Sequence, residues 1–252
     1  WTNDNCMFVK KYYRLFQKIT KIKIHFLMIN AIKNKIHILH NIYFKHKYFI
    51  KKKSYSMDGE DLFINNYFKD KKNGFYVDVG CYHPIHRNNT FLLHKKGWSG
   101  VNIDIHKFSI DLFKYLRPKD FNYNLAISSK NEVIDMYFQK KLSQLSTTEE
   151  EQAKKVFQGN IKKSPINAVT LNSIFEDINL NNLKIDLLDI DVEGADIKVL
   201  EGFSIEKYRP ELICIEIHQE KIKESKISKF LYNFEYELIW SGIFSHIFKS
   251  KA

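Results

Sequence analysis

Four acids and one histidine in this chain stand where an α/β protein does its chemistry. Asp78 closes the run Phe75-Tyr76-Val77, Asp104 closes Val101-Asn102-Ile103, and Asp191, with Glu193 just beyond it, closes the run from Ile185 to Ile190. Short apolar and β-branched runs of this kind read as buried parallel strands, and ligands of such folds bind at the carboxyl ends of the strands. One strand-end carboxylate is commonplace and often only caps the next helix. Three at the same edge of one sheet make a site. His218, after the run Leu212 to Ile217, adds a side chain whose ordinary pKa suits a general base near neutral pH. With Asp191 or Glu193 to orient it, the set suits removal of a proton from an acceptor hydroxyl. The same acids and imidazole are also a ligand set for a divalent cation that activates a hydroxyl. The general base, with no metal, is the reading adopted.

The nature of the ligand turns on glycines. Gly80-Cys81-Tyr82-His83-Pro84 follows the first strand, and its glycine lets the backbone turn tightly. A dinucleotide site needs Gly-x-Gly-x-x-Gly, so that a pyrophosphate can approach a helix N-terminus. The second and third glycines are missing here. Asp104 nevertheless lies 24 positions after Gly80, close to the ~20-residue interval at which a carboxylate accepts hydrogen bonds from ribose hydroxyls. S-adenosylmethionine meets both conditions, because it carries a ribose and a cationic sulfonium but no phosphate.

Such residues need a sheet to carry them. Ser56 followed by Glu60 and Asp61 predicts a helix start, and Lys71-Lys72-Asn73-Gly74 its end. Asn88-Asn89-Thr90 predicts a capped helix to about Lys96, Gly100 to Ile105 a second strand, Ser109 to Leu116 a helix and Phe121 to Ile127 a third strand. The alternation βαβαβ implies a mostly parallel, Rossmann-like α/β sheet with right-handed crossovers. Glu132 to Phe138 reads as an exposed strand and Ser143 to Phe157 as a hydroxyl-rich stretch entering a charged helix, together an inserted flap over the site. Ala168 to Ile178 predicts a strand passing into a helix. Lys184 to Asp191, Gly194 to Leu200 and Glu211 to Ile217 predict strand, helix and strand, and Tyr236 to Trp240 with His246 to Phe248 an antiparallel closing pair.

At 252 residues, with 44% hydrophobic and 15% aromatic residues, the chain has material for one large core and is not compositionally disordered. Its net charge of +11 is unevenly placed. Residues 1–57 hold 13 of the 40 Lys and Arg against one acid, Asp4, so the remainder carries 27 basic and 28 acidic residues, a net of −1. Residues 1–53 therefore read as a basic, amphipathic helical arm, joined through Lys51-Lys52-Lys53 to a catalytic domain over 54–252. The arm suits a second subunit or an anionic membrane surface better than nucleic acid. No apolar run reaches the ~20 residues that span a bilayer. Cys6, Cys81 and Cys214 are scattered, which suits neither a disulfide framework nor a zinc site and points to a cytoplasmic, reducing setting.

Several motifs in order resemble the FkbM-type S-adenosylmethionine-dependent methyltransferases. They are Ser56-x-x-Gly59-Glu60-Asp61, Phe75 through Val77-Asp78-Val79-Gly80 to Pro84, Asn89-Thr90, Gly97-Trp98 through Asp104, Asn124 through Ala126 to Ser128, Leu188 through Asp191 to Gly194, and Ile215-Glu216-Ile217-His218. The resemblance implies a seven-stranded, mostly parallel methyltransferase fold with its last strand antiparallel, and methylation of sugar or natural-product hydroxyls. By position it implies that Glu60 and the Asp78, Gly80, Tyr82 and His83 turn hold the methionine end of the cofactor. Asp104 and Ile105 would lie at the ribose, and Asn124, Ala126 and Ser128 near the adenine. The acceptor expected is a sugar or glycan, with His218, Asp191 and Glu193 doing the chemistry. Two other readings stay open: a nucleic-acid methyltransferase, although Asp191-Val-Glu-Gly194 lacks the Pro-Pro-aromatic pattern of amino-group enzymes, and a non-catalytic scaffold of the same fold.

Overall fold

A computed structural model describes residues 23, 25–46, 53–140, 142–179, 184–218 and 221–251. The chain divides after Tyr48 into a first unit and a main unit, a few residues before the expected join at 53. In the first unit, α1 (residues 25–40) runs into a π-helical turn over Asn41–Lys45. The apolar positions expected to be helical before it, from Phe8 to Ile22, lie outside the described residues.

The main unit is built on one seven-stranded sheet of β1 (Phe75–Val79), β2 (Ser99–Asp104), β3 (Phe121–Asn124), β7 (Leu187–Ile190), β8 (Leu212–Glu216), β9 (Tyr236–Ser241) and β10 (Ser245–Ser250). Their order across the sheet is β3-β2-β1-β7-β8-β10-β9. The first five pair in parallel, and β10 is antiparallel to both neighbours. This is the Rossmann-like methyltransferase arrangement. The expected closing pair is present, with the later strand slotted inside the earlier one.

Every residue of β1 is buried, as expected of a central strand covered on both faces. Phe75, Val77 and Val79 pack into one core with Ile103, Leu188, Ile190, Ile213 and Ile215. Tyr76 points the other way, into a second core with Ile64, Leu93, Trp98, Leu187 and Ile247. The helices α2 (Glu60–Tyr67), α3 (Phe91–Lys95), α4 (Lys107–Leu116), α6 (Leu171–Asp177), α7 (Asp196–Glu201), α8 (Ile205–Tyr208) and α9 (Lys226–Asn233) connect these strands, and α5 (Glu150–Val156) lies within an insertion.

Two expectations need correction. The third strand does not run unbroken from Phe121 to Ile127. β3 stops at Asn124, whose side chain donates to the carbonyls of Asp104 and Ile105, and after Leu125 the chain enters another sheet as β4 (Ala126–Ile127). There β4 pairs in parallel with β6 (Lys162–Val169), which is antiparallel to β5 (Glu132–Phe138). The strand expected from Ala168 thus begins at Lys162. The second correction concerns Thr90, which makes no side-chain cap for α3. Its hydroxyl donates instead to Asp78 Oδ2 at 2.8 Å.

Candidate active site

The carboxyl edge of the sheet opens into a solvent-open cleft; the empty space along its lining, counted out into the solvent, is about 510 Å3. Gly80 and Tyr82 from the turn after β1, Asp104 and Ile105 from β2, Ala126 after the strand break and Asp191 after β7 all line it. Ser143, Gln144, Ser146 and Thr148 enter from the insertion, so the stretch read as a flap forms one wall.

The turn after β1 is closed on itself. The amides of Gly80 and Cys81 donate to the Ile103 carbonyl at 2.9 and 3.1 Å, and that of Tyr82 to Asp104 Oδ2 at 2.8 Å. The amides of Ile85 and His86 both donate to Nδ1 of His83. Residue 80 must be glycine for two reasons: its φ is +86°, and a Cβ there would overlap the carbonyl oxygen of Asp191. Asp104 also accepts from the His106 amide at 2.6 Å. Its burial raises its pKa, against the pull of His106 and those amides.

A buried network braces the turn from below. Asp78 accepts hydrogen bonds from Asn88 and Thr90, while the fully buried Arg117 donates to Thr90 Oγ1, Asn88 Oδ1 and the Pro84 carbonyl at 2.7–2.8 Å. Burial pushes Asp78 up to about 6, and Arg117 is the chief opposing influence. Arg117 carries no signal in the sequence beyond its place between a helix and Pro118.

Beyond the cleft, the turn after β7 and the end of β8 bring acids and an imidazole together. Glu193, Glu216 and His218 each offer one ligand atom, all within 4.8 Å of one another. His218 Nε2 lies 2.8 Å from Glu216 Oε2, and with 41% of its side chain exposed the imidazole is open to an acceptor. The Glu216 carboxylate raises the His218 pKa. Glu193 takes a left-handed backbone (φ +54°), and its carbonyl accepts from Thr147 Oγ1 of the insertion at 2.8 Å. Burial first, then Glu216, pushes Glu193 up to about 8 and Asp196 up to about 7. Asp191 is an exposed residue that lines the cleft. Desolvation, followed by the charges of Glu216, Glu193 and Asp196, raises its pKa well above its ordinary 3.8. Capping of the turn falls to Asp196, which accepts from the amides of Val192 and Gly194.

A family model of the FkbM methyltransferase domain matches residues 78–239, which takes in both the cleft and the cluster. The chain belongs to the FkbM methyltransferase family. A solved structure, methyltransferase FkbM from Methylobacillus flagellatus KT, is similar to it at 9% identity and a TM-score of 0.45, over 71% of this chain. This chain spans 44% of that protein's length. No curated protein matches.

Of the positions that the FkbM motifs carry over to the cofactor, Gly80, Tyr82, Asp104, Ile105 and Ala126 line the cleft. The others are not among its lining residues. Asp78 and His83 are buried in the brace and the turn, Asn124 straps the end of β2, and Ser128 is buried with its amide bonded to the Val169 carbonyl. Glu60 is buried at the start of α2, where it accepts from the Asp58 amide at 2.8 Å. Of the expected catalytic set, Glu193 and His218 share the cluster while Asp191 faces the cleft. The carboxylate at the imidazole is Glu216, which stands in the quoted FkbM motif but is not among the residues expected to do chemistry.

Proposed function

We propose that this FkbM-family chain moves a methyl group from S-adenosylmethionine to a hydroxyl of a sugar, a glycan or a related natural product. The observation that carries the choice of cofactor is the turn after β1. The amides of Gly80, Cys81, Tyr82, Ile85 and His86 are spent on protein acceptors, so these five N–H groups are not offered to a pyrophosphate. The residues present fit a phosphate-free, cationic cofactor. Asp104 retains acceptor capacity for ribose hydroxyls beyond its two amides, and Asp191 places a carboxyl group in a cleft with apolar walls at Val79, Ile103 and Ile127.

S-adenosylmethionine supplies an electrophilic methyl group on sulfur. The rest of the task belongs to this chain's residues. An alcohol is a weak nucleophile at neutral pH, so a base at hydrogen-bond distance contributes about 10²–10⁴-fold. His218 takes that role, with Glu216 holding Nε2 and stabilising the imidazolium once the proton arrives. Glu193 stands within reach of both and orients the acceptor. The insertion contributes Ser143, Gln144, Ser146 and Thr148 to one wall of the cleft. Two buried free thiols, Cys81 and Cys214, suit a reducing compartment.

Calorimetry tests the cofactor. S-adenosylmethionine and its demethylated product should bind in the micromolar range and NAD should not; NAD binding of similar strength overturns the assignment. Asp104→Ala should weaken cofactor binding by about 1.5–3 kcal/mol, the range for hydrogen bonds to a charged group. Mass spectrometry of glycans from cells with and without the gene then tests the acceptor.

A further inference from the structure

The feature that the catalytic reading does not use is the first unit, ahead of the main unit. At 3.6 residues per turn, Met28, Ile29, Ile32, Ile36 and Leu39 of α1 fall within about 100° of arc. Asn30, Lys33, Asn34, His37 and His40 occupy the opposite arc with Phe26 among them, Lys35 borders the stripe, and Leu27 and Ile38 lie off it. The apolar stripe is not packed away: Met28, Ile32 and Ile36 are 57–60% exposed. Burying such side chains is worth about 1.5–3 kcal/mol each, so a bare row of them wants a covering surface. Among the described residues no helix is long and apolar enough to cross a membrane.

Charge narrows what covers the stripe. Residues 1–57 carry 13 Lys and Arg against Asp4 alone, a net of +12, while the rest of the chain is −1. A second copy of the arm would meet it with a like charge. A nucleic acid offers phosphates but no apolar surface for the stripe. An anionic bilayer surface offers both over the whole length of the helix, with acyl chains at the depth of the apolar face and phosphate headgroups at the level of the lysines.

We propose that α1 lies in the plane of an anionic membrane surface, its Met28–Ile32–Ile36 stripe sunk between headgroups, and tethers the catalytic unit there. The inference is independent of the proposed chemistry.

The test is flotation of the full chain with vesicles of neutral phosphatidylcholine and with vesicles in which about a third of the lipid is phosphatidylserine, a fraction that sets a surface potential of tens of millivolts. The chain should float with the anionic vesicles at least tenfold more than with the neutral ones, and lose that binding as salt shortens the screening length. Ile32→Asp with Ile36→Asp should abolish flotation while far-UV circular dichroism and the melting temperature of the main unit stay unchanged. Lys33→Glu with Lys35→Glu should reduce it severalfold. Equal flotation on both vesicle types, no flotation of the unaltered chain, or full flotation of the double aspartate variant each overturns the proposal. So does loss of anionic-vesicle binding to a competing duplex RNA at matched phosphate concentration. If the double aspartate variant does not fold, the salt and lipid dependence of the unaltered chain decides alone.

Discussion

Nε2 of His218 sits 2.8 Å from Oε2 of Glu216, so the imidazole and the carboxylate act as one unit at the end of β8. This pairing is what makes His218 more than a surface histidine. It also fixes which way its titration moves.

Because Glu216 holds the proton on His218, the base should become free only above its ordinary value of 6.5. Turnover should therefore rise with pH above that value, with Glu193, pushed up to about 8, titrating in the same window. Glu216→Gln should lower the midpoint, and His218→Ala should cut turnover roughly 10²–10⁴-fold with cofactor affinity within a few-fold. Asp191→Asn should cut turnover by a similar factor. A different pattern, with activity lost to a chelator, restored by a divalent cation, and retained by His218→Ala, would make Glu193 and its neighbours cation ligands instead.

Stability should respond to pH in the opposite sense from that of a salt-bridged carboxylate. Glu193 is raised from an ordinary 4.5 to about 8, and Asp196 from 3.8 to about 7. The folded chain therefore holds protons that the unfolded chain has released. Both groups contribute full stability below about pH 4 and lose it as pH rises towards 7–8. Melting temperatures measured across that window should fall with rising pH, less steeply in Glu193→Gln. An unchanged slope in that variant would show that Glu193 ionises normally.

Gly80→Ala should cost more than a substitution in an open turn. The new methyl group meets the Asp191 carbonyl, and the backbone angle of +86° is one that side chains resist. The turn after β1 and the turn after β7 are pressed together at this point, so both halves of the cleft should shift. Urea unfolding should show a loss of at least ~2 kcal/mol, the scale of strain and overpacking combined. A loss below ~0.5 kcal/mol would mean that the two turns separate freely.

Arg117→Met should destabilise the fold by about 3–5 kcal/mol, since it leaves Asp78 buried without its opposing charge. Asp78→Asn in the same chain should recover part of that loss. A carboxamide at this position carries no charge and still offers an oxygen to the Thr90 hydroxyl and the Asn88 amide group. The measurement is the non-additivity of the double-mutant cycle. Strict additivity would show that Arg117 acts only through its hydrogen bonds to Pro84, Asn88 and Thr90.

Much of this architecture is legible in the chain. Strands buried on both faces, such as β1 and β7, announce themselves as mostly apolar runs, each with one acid inside it, Asp78 and Asp189. The break at Leu125 is not legible, because both Phe121 to Asn124 and Leu125 to Ile127 read as strand and no Gly or Pro separates them; only the hydrogen bonds of Asn124 to the end of β2 reveal where the sheet lets go. Thr90 reads as a cap for the same local reason, and a tertiary partner 12 residues earlier claims its hydroxyl instead. The role of Glu216 is hidden by its alternation within a strand, where an acid between two isoleucines reads as the solvent side of an edge. Arg117 is hidden because burial of a guanidinium depends on partners scattered from residue 76 to residue 102.

The slotting of β10 between β8 and β9 has a consequence for biosynthesis. The ribosome delivers β9 before β10, so the nascent chain reaches Ser241 with both strands made and nothing to join them. Until Ser245–Ser250 emerges, β8 presents a bare row of amides and carbonyls, an invitation to pair with a neighbouring chain. That exposed strand is the one leading to Glu216 and His218. The site can therefore acquire its working geometry only once Ser245–Ser250 has emerged, and ribosome stalling before residue 245 should yield aggregation rather than a weakly active fragment.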